Sequence, residues 1–175
     1  MPEHFALRQE FLLARVKAGQ RVLDVGCGEG MFTDALARAG CHAVGTDIAE
    51  EPLRRARERF PALDFRVALP TSGEWDAVWA GEVIEHVQDC AGLLDELRSA
   101  LAHGGRLLLS TPDHPRRAIA RMALRRRAFE RHFDPRQDHL RFFTARTLRE
   151  LVEDVGFEQT EVRSQRGVLL LSSYR

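Results

Sequence analysis

The sequence predicts an α/β fold, a doubly wound and mostly parallel sheet covered by helices on both faces. Three observations predict it. Short apolar runs of strand length alternate along the chain with stretches whose apolar residues recur at helical spacing. The first such run leads straight into a glycine-rich segment, Gly26 to Gly30, and the second ends at Asp47. Buried strands separated by helices specify parallel neighbours with covered faces, and ligands of such sheets sit beyond the carboxyl ends of the strands.

Each element follows in order. Phe5, Leu12, Leu13 and Val16 recur at helical spacing, and Ala18-Gly19-Gln20 ends that first helix. Arg21 to Val25 is the first buried strand. The glycine-rich segment opens a helix from Met31 to Ala39, which Gly40 stops, and His42 to Thr46 is the second strand. Pro52 suits the first turn of a helix that runs to Phe60. Leu63 to Leu69 and Trp75 to Ala80 then read as the third and fourth strands. A helix from Asp89 to Ala102 closes on Gly104 and Gly105, and Arg106 to Ser110 is the fifth strand. Thr144 caps a last helix that Gly156 stops after Val155, and Phe157–Arg163 with Val168–Ser172 form a terminal hairpin.

No linker, repeat or biased stretch divides the 175 residues, so one domain, 1–175, is expected. Lys+Arg and Asp+Glu are equal at 26 each, so the molecule as a whole makes no electrostatic case for nucleic acid. The opening residues mix charged and apolar side chains and lack the run that a signal peptide or a membrane span requires. Cys27, Cys41 and Cys90 are an odd count without CxxC spacing, which argues against a disulfide framework or a zinc knuckle and fits a reducing cytoplasm.

The segment Asp24-Val25-Gly26-Cys27-Gly28-Glu29-Gly30 joins the first strand to the first crossover helix, where backbone approaches a ligand closely only if side chains are absent. A dinucleotide GxGxxG would need glycine at Met31, and no GKS or GKT follows for a Walker loop. Asp47 lies about 20 residues after the loop, the offset at which a carboxylate accepts hydrogen bonds from both hydroxyls of a ribose. The structural alternative is that Gly26, Gly28 and Gly30 only make a tight turn while Asp47 caps the next helix. Asp24 has two readings, orienting the loop backbone or approaching the amino-acid part of the ligand. Cys27 reads as a residue small enough to fit.

With these residues in place, DVGCGEG and Asp47 in this order of strands resemble the class I S-adenosylmethionine-dependent methyltransferases over nearly the whole chain. WDAVWAGEVIEHVQD, LRSALAHGGRLLLSTPD and DHLRFFTARTLRELVEDVGF resemble the branch typified by the ubiquinone-biosynthesis O-methyltransferases. The resemblance implies a Rossmann-like, seven-stranded sheet with an antiparallel terminal strand, and adenosine lying across the first two strands. It implies S-adenosyl-L-methionine as cofactor and S-adenosyl-L-homocysteine as product, with Ile48, Leu69, Gly81 and Glu82 joining the loop and Asp47 as contacts. Many relatives carry an acidic residue after the third strand, whereas here Val67-Ala68-Leu69-Pro70 supplies apolar and backbone contacts only.

Glu82, Glu85 and His86 follow the fourth strand, and a helical turn starting at Glu82 would place all three on one face. Two carboxylates and an imidazole suit an oxygen-preferring divalent ion such as Mg²⁺, which lowers the pKa of a bound hydroxyl and prepares it for attack on the sulfonium methyl. A metal-free version uses His86 as general base. In a third reading Glu82 touches cofactor and Glu85 and His86 merely begin a helix. The resemblance favours metal and implies a further histidine downstream, with His139 as the candidate and His114 and His132 behind it.

Residues 113–141 carry nine arginines with few acids, and Ile119, Met122, Ala123, Phe129 and Phe133 fall along one helical face. The segment reads as an amphipathic lid over an acidic or lipid-like acceptor, or simply as a solvated helix face. RNA is disfavoured because no RNA-binding domain is appended and aromatics are few. The expected function is methyl transfer to a small-molecule acceptor, foremost a hydroxyl oxygen. Rivals are N- or C-methylation, RNA 2′-O-methylation, a nicotinamide oxidoreductase and a non-catalytic cofactor-binding module.

Overall fold

The structure is a computed structural model and describes residues 2–68, 73–125, 127, 130 and 140–175. Along the described chain run α1 (Pro2–Leu13), β1 (Arg21–Val25), α2 (Met31–Arg38), β2 (His42–Thr46), α3 (Glu50–Arg59), β3 (Asp64–Arg66) and β4 (Trp75–Gly81). A single 3-10 turn, Ile84–His86, leads to α4 (Cys90–Ala100), β5 (Leu101–Pro112), α5 (Arg116–Ala123), α6 (Ala145–Asp154), β6 (Glu158–Gln165) and β7 (Val168–Tyr174). All seven strands lie in one sheet of order β3-β2-β1-β4-β5-β7-β6. Neighbours from β3 to β5 are parallel, and β7 enters antiparallel between β5 and β6. The fold is thus the doubly wound, Rossmann-like seven-stranded arrangement with an antiparallel terminal hairpin.

Both faces of the sheet are apolar because its central strands are covered twice. On one face Leu23, Val78, Leu107 and Leu109 pack with Leu94 and Leu97 of α4 and Leu148 and Val152 of α6. On the other, Val22, Ala77, Trp79, Leu108 and Leu170 pack with Leu7, Phe11 and Leu12 of α1 and Leu36 of α2. A smaller cluster of Cys27, Leu53, Ala56 and Phe65 fixes α3 and β3 beside the glycine loop. Leu108 is fully buried between β4 and β7. Leu108→Ala is therefore expected to cost about 2–5 kcal/mol in urea unfolding without changing the fold.

Local chemistry sets the element ends. Asp89 caps α4 by accepting the Gly92 N–H at 2.8 Å. Thr144 and Thr147 form a reciprocal capping box at the start of α6. Two expectations need correction. β3 stops at Arg66 instead of running to Leu69, because it is an edge strand and its one partner, β2, ends at Thr46 opposite Arg66. The helix expected to reach Ala102 ends at Ala100. Leu101 already pairs with Trp75, and residues 102–105 bulge opposite Asp76 before Arg106 resumes the ladder at Ala77. Gly104 and Gly105 thus belong to a bulge, not to a helix stop. No helix among the described residues is long and apolar enough to cross a membrane.

Candidate functional site

The site forms where β1, β2 and β4 end. Cys27 N–H donates to Thr46 O at 2.9 Å, carrying the β1–β2 ladder one step past β1, and the chain then turns through Gly26, Gly28 and Gly30, all with positive φ. The three glycines do different work. A Cβ on Gly26 would lie 2.4 Å from Val83 Cγ2, and one on Gly30 would lie 2.6 Å from the Phe65 ring. At Gly28 a Cβ would meet nothing within 4 Å, so the loop is open there. Gly28 N–H donates to Asp47 Oδ2 at 3.0 Å, and Ala49 N–H donates to Asp47 Oδ1 at 2.9 Å. Asp47 therefore is tied into the turn before α3 but does not cap that helix, whose N-cap is Ala49. Each of its oxygens nevertheless keeps acceptor capacity for a hydroxyl.

Asp47 is one wall of a cavity of about 320 Å³. Its neighbours there are Ile48 and Val67, 93% and 46% exposed, which offer apolar surface to a flat ring. Glu82, Val83 and His86 line the same cavity from the end of β4. A carboxylate tied to the glycine loop, an apolar flank, and a carboxylate and imidazole thus share one concave site of ligand size.

Asp24 does not line the cavity. It is 1% exposed and accepts the Thr33 hydroxyl at 2.6 Å, which ties β1 to α2 beneath the loop. Burial pushes its carboxyl up to about 7. Cys27 is packed so closely that a Cβ on Gly45 would lie 2.9 Å from its sulfur. Burial first, and then the carboxylates of Asp24 and Asp47, push its thiol up to about 12, so it is a filler and not a nucleophile. Gly81 is not a cavity residue either, since a Cβ there would strike the Trp79 indole at 2.6 Å.

The Glu-x-x-Glu-His segment departs from the helical turn expected of it. Glu82 has φ 59, in the left-handed region, and only Ile84–His86 form the turn. Glu82 N–H donates to Ser110 O at 2.9 Å, the Ser110 hydroxyl donates to Glu82 Oε1 at 3.0 Å, and Arg8 Nη1 stands 3.6 Å from that oxygen. Glu85 is 1% exposed, its Oε2 accepts the Thr111 hydroxyl at 3.0 Å, and its Oε1 is buried without a hydrogen-bond partner among the described residues. Its main-chain oxygen accepts the N–H groups of Leu140 and Arg141 at 2.8 and 3.1 Å, anchoring the end of the arginine-rich segment.

Glu82 and His86 consequently meet at the cavity while Glu85 does not. Among the described residues no three His, Cys, Asp or Glu side chains converge as a metal site requires. The helical turn expected to bring Glu82, Glu85 and His86 onto one face is not formed, because the backbone at Glu82 is left-handed. His114 packs edge-on against Phe142 at 5.0 Å. His139, His132 and Leu69 lie outside the described residues.

Burial, as the foremost cause, raises the Glu85 carboxyl from 4.5 to about 7. The fold binds this proton more tightly than the unfolded chain does. The stability linked to Glu85 is therefore full below about pH 4.5 and is lost as pH rises through about 7, and Asp24 acts in the same direction. Glu85→Gln is expected to raise stability at pH 8 by on the order of 1–3 kcal/mol and to flatten the pH dependence of the melting temperature.

Three contributors escaped the sequence reading: Arg8, Ser110 and Thr111. Arg8 shares a helical face with Phe5 and Leu12, and its guanidinium lies over the Phe32 ring at 5.7 Å. Its signal was a cation on an otherwise apolar face. Ser110 and Thr111 signalled themselves as hydroxyls ending a buried strand.

A family model described as a methyltransferase domain matches residues 2–162. The ubiquinone biosynthesis O-methyltransferase of Xanthomonas axonopodis pv. citri is 38% identical over 125 residues, which cover 65% of this chain and 52% of that protein. The protein of the same name from Xylella fastidiosa is 37% identical over 116 residues, 60% of this chain and 47% of that one. The chain spans about half the length of the curated relatives it matches. Magnesium protoporphyrin IX methyltransferase from Synechocystis PCC 6803, with bound S-adenosylhomocysteine, superposes with TM-score 0.71 at 22% identity over 97% of this chain and 80% of that one. Phosphoethanolamine N-methyltransferase 2 of Haemonchus contortus, also with S-adenosylhomocysteine, gives 0.72 at 16% identity over 97% and 52%. At these identities the likeness is one of fold.

Proposed function

The chain belongs to the methyltransferase domain family, class I in fold, and from that premise we propose that it moves a methyl group from S-adenosylmethionine to a hydroxyl oxygen of a small-molecule acceptor. One observation carries the reading: Asp47, which accepts the Gly28 N–H, lines the same cavity as Glu82 and His86. The cavity suits the cofactor, since Ile48 and Val67 offer an apolar flank, and the loop that donates to its Asp47 is open at Gly28.

When bound, S-adenosylmethionine supplies an electrophilic methyl on a positively charged sulfur. The residues of this chain do the rest. Asp47 accepts the ribose hydroxyls through the lone pairs its backbone bonds leave over. Ile48 and Val67 flank the adenine. Arg8, held over Phe32 and 3.6 Å from the Glu82 carboxylate, supplies a guanidinium to the cofactor's carboxylate in this reading. His86 takes the acceptor's hydroxyl proton, and Glu82, fixed by Ser110, orients the acceptor. Most of the acceleration comes from alignment of nucleophile and methyl, with proton removal as the smaller part. Oxygen is favoured over nitrogen because an imidazole base is useful to a hydroxyl nucleophile, and because the curated relatives named above are O-methyltransferases.

The test is a screen of phenolic, sugar and lipid-linked acceptors with methyl-labelled cofactor, in Mg²⁺ and in chelator. Turnover is expected in both. His86→Ala is expected to lower kcat by about 10²–10⁴-fold with little change in affinity for S-adenosylhomocysteine. Loss of turnover in chelator, restored by Mg²⁺, would overturn the assignment of the proton to His86.

A further inference from the structure

A second group of charged side chains lies away from the methyl-transfer cavity, where α1 packs against the terminal hairpin. A cleft of about 240 Å³ is bounded there by Glu10, Phe11 and Arg15 of α1 and its flank and by Arg163, Gln165 and Leu170. A smaller cavity of about 130 Å³ adjoins Arg15 as well, with Lys17, Arg106, Tyr174 and Asp76 around it. Arg15 stands between the two. Four cations and two carboxylates, Glu10 and Asp76, thus line the two cavities, with Glu161 beside Arg163; Asp76 is already engaged, accepting the Arg21 N–H at 2.8 Å.

Two of the guanidiniums, Arg15 and Arg106, have no carboxylate ion-pair partner among the described residues. Arg15 lies over the Phe11 ring at 3.8 Å and spends Nη1 on Phe11 O at 3.0 Å, which leaves Nε and Nη2 for a ligand. Arg106 lies over the Tyr174 ring at 4.5 Å and its Nη1 reaches Arg15 O at 3.4 Å. Arg163 is paired with Glu161 at 3.5 Å, a long contact between exposed side chains. Burial and then the positive charges of Arg163 and Arg106 lower the pKa of Arg15, while Glu161 acts against them. Two stacked guanidiniums, with a third whose only carboxylate contact among the described residues is a long, exposed one, present donors in the fork geometry that suits an external dianion.

We propose that Arg15, Arg106 and Arg163 form a phosphate-binding site in the cleft between α1 and the terminal hairpin. The ligand is a phosphate monoester or diphosphate group, on a soluble molecule or on a lipid headgroup. The site is separate from methyl transfer: Arg106 lies four residues down β5 from Ser110, about 13 Å along the strand from the residue that holds Glu82.

The experiment titrates inorganic pyrophosphate into the full chain by calorimetry, with phosphatidic acid vesicles, which present a phosphate monoester, in a parallel arm. The variants are Arg15→Gln and Arg163→Gln, and Arg149→Gln on exposed α6 controls for loss of charge. Pyrophosphate is expected to bind at one site and to weaken about tenfold or more in the first two variants but not in the third. Binding of S-adenosylhomocysteine within about twofold of wild type shows that each variant is folded. Vesicle binding that depends on Arg15 without pyrophosphate binding assigns the phosphate to a lipid headgroup. The proposal is overturned if neither probe binds in an Arg15-dependent way, or if Arg149→Gln loses as much as the cleft variants.

Discussion

Asp47→Ala is expected to weaken binding of S-adenosylhomocysteine by at least about 100-fold, because two charge-assisted hydrogen bonds, each worth roughly 1.5–3 kcal/mol, disappear together. Calorimetric titration reads this directly. The same substitution removes the acceptors of the Gly28 and Ala49 N–H groups, so a smaller loss of stability, about 1–2 kcal/mol, is expected alongside. Asp47→Asn separates the two effects. It can still accept at one atom and so keep part of the loop's order, but it lacks the charge and a second acceptor oxygen, and its affinity should fall between wild type and alanine. An Asp47→Ala variant that bound as tightly as wild type would remove the carboxylate from the cofactor site.

The second large effect is a contrast between glycines four residues or fewer apart. Gly26→Ala forces a Cβ to 2.4 Å from Val83 Cγ2 on backbone at φ +67, and both penalties fall on the fold. A loss of about 2–5 kcal/mol in urea unfolding is expected, from left-handed strain of about 1–2 kcal/mol and overpacking of about 1–3. Gly28→Ala meets no protein atom within 4 Å, so only the φ penalty applies and stability falls by about 1–2 kcal/mol. Its affinity for S-adenosylhomocysteine should nonetheless fall tenfold or more, since the space it fills is the ligand's. Equal stability losses in the two variants, with affinity unchanged in Gly28→Ala, would contradict the assignment of the loop.

Much of this arrangement was legible in the residues. Arg21–Val25 runs directly into the glycines and His42–Thr46 directly into Asp47, and their meaning depends on local order that the structure preserves. The antiparallel hairpin was legible for the same reason, as two short runs flanking Arg166-Gly167. What failed were inferences that needed a backbone conformation no side chain announces. Placing Glu82, Glu85 and His86 on one face assumed helical spacing, but Glu82 adopts φ 59 and pairs with Ser110, 28 residues away. Glu85 read as a ligand because it is a carboxylate beside a site. Its burial is decided by Thr111, 26 residues on, and by the return of the chain at Leu140 and Arg141. The bulge at 102–105 was hidden because two glycines signal a helix stop and a strand bulge alike.

The central claim is that the cofactor lies along Asp47 and Ile48 at the ends of the first two strands. The sequence contains three isoleucines, Ile48, Ile84 and Ile119, so a methyl-labelled isoleucine spectrum has three δ1 resonances. Ile48 is 93% exposed at the cavity, Ile84 is fully buried, and Ile119 lies on α5. On addition of S-adenosylhomocysteine the Ile48 resonance is predicted to shift most, saturably, and not in Asp47→Ala. A stationary Ile48, or a response confined to Ile119, would contradict the account.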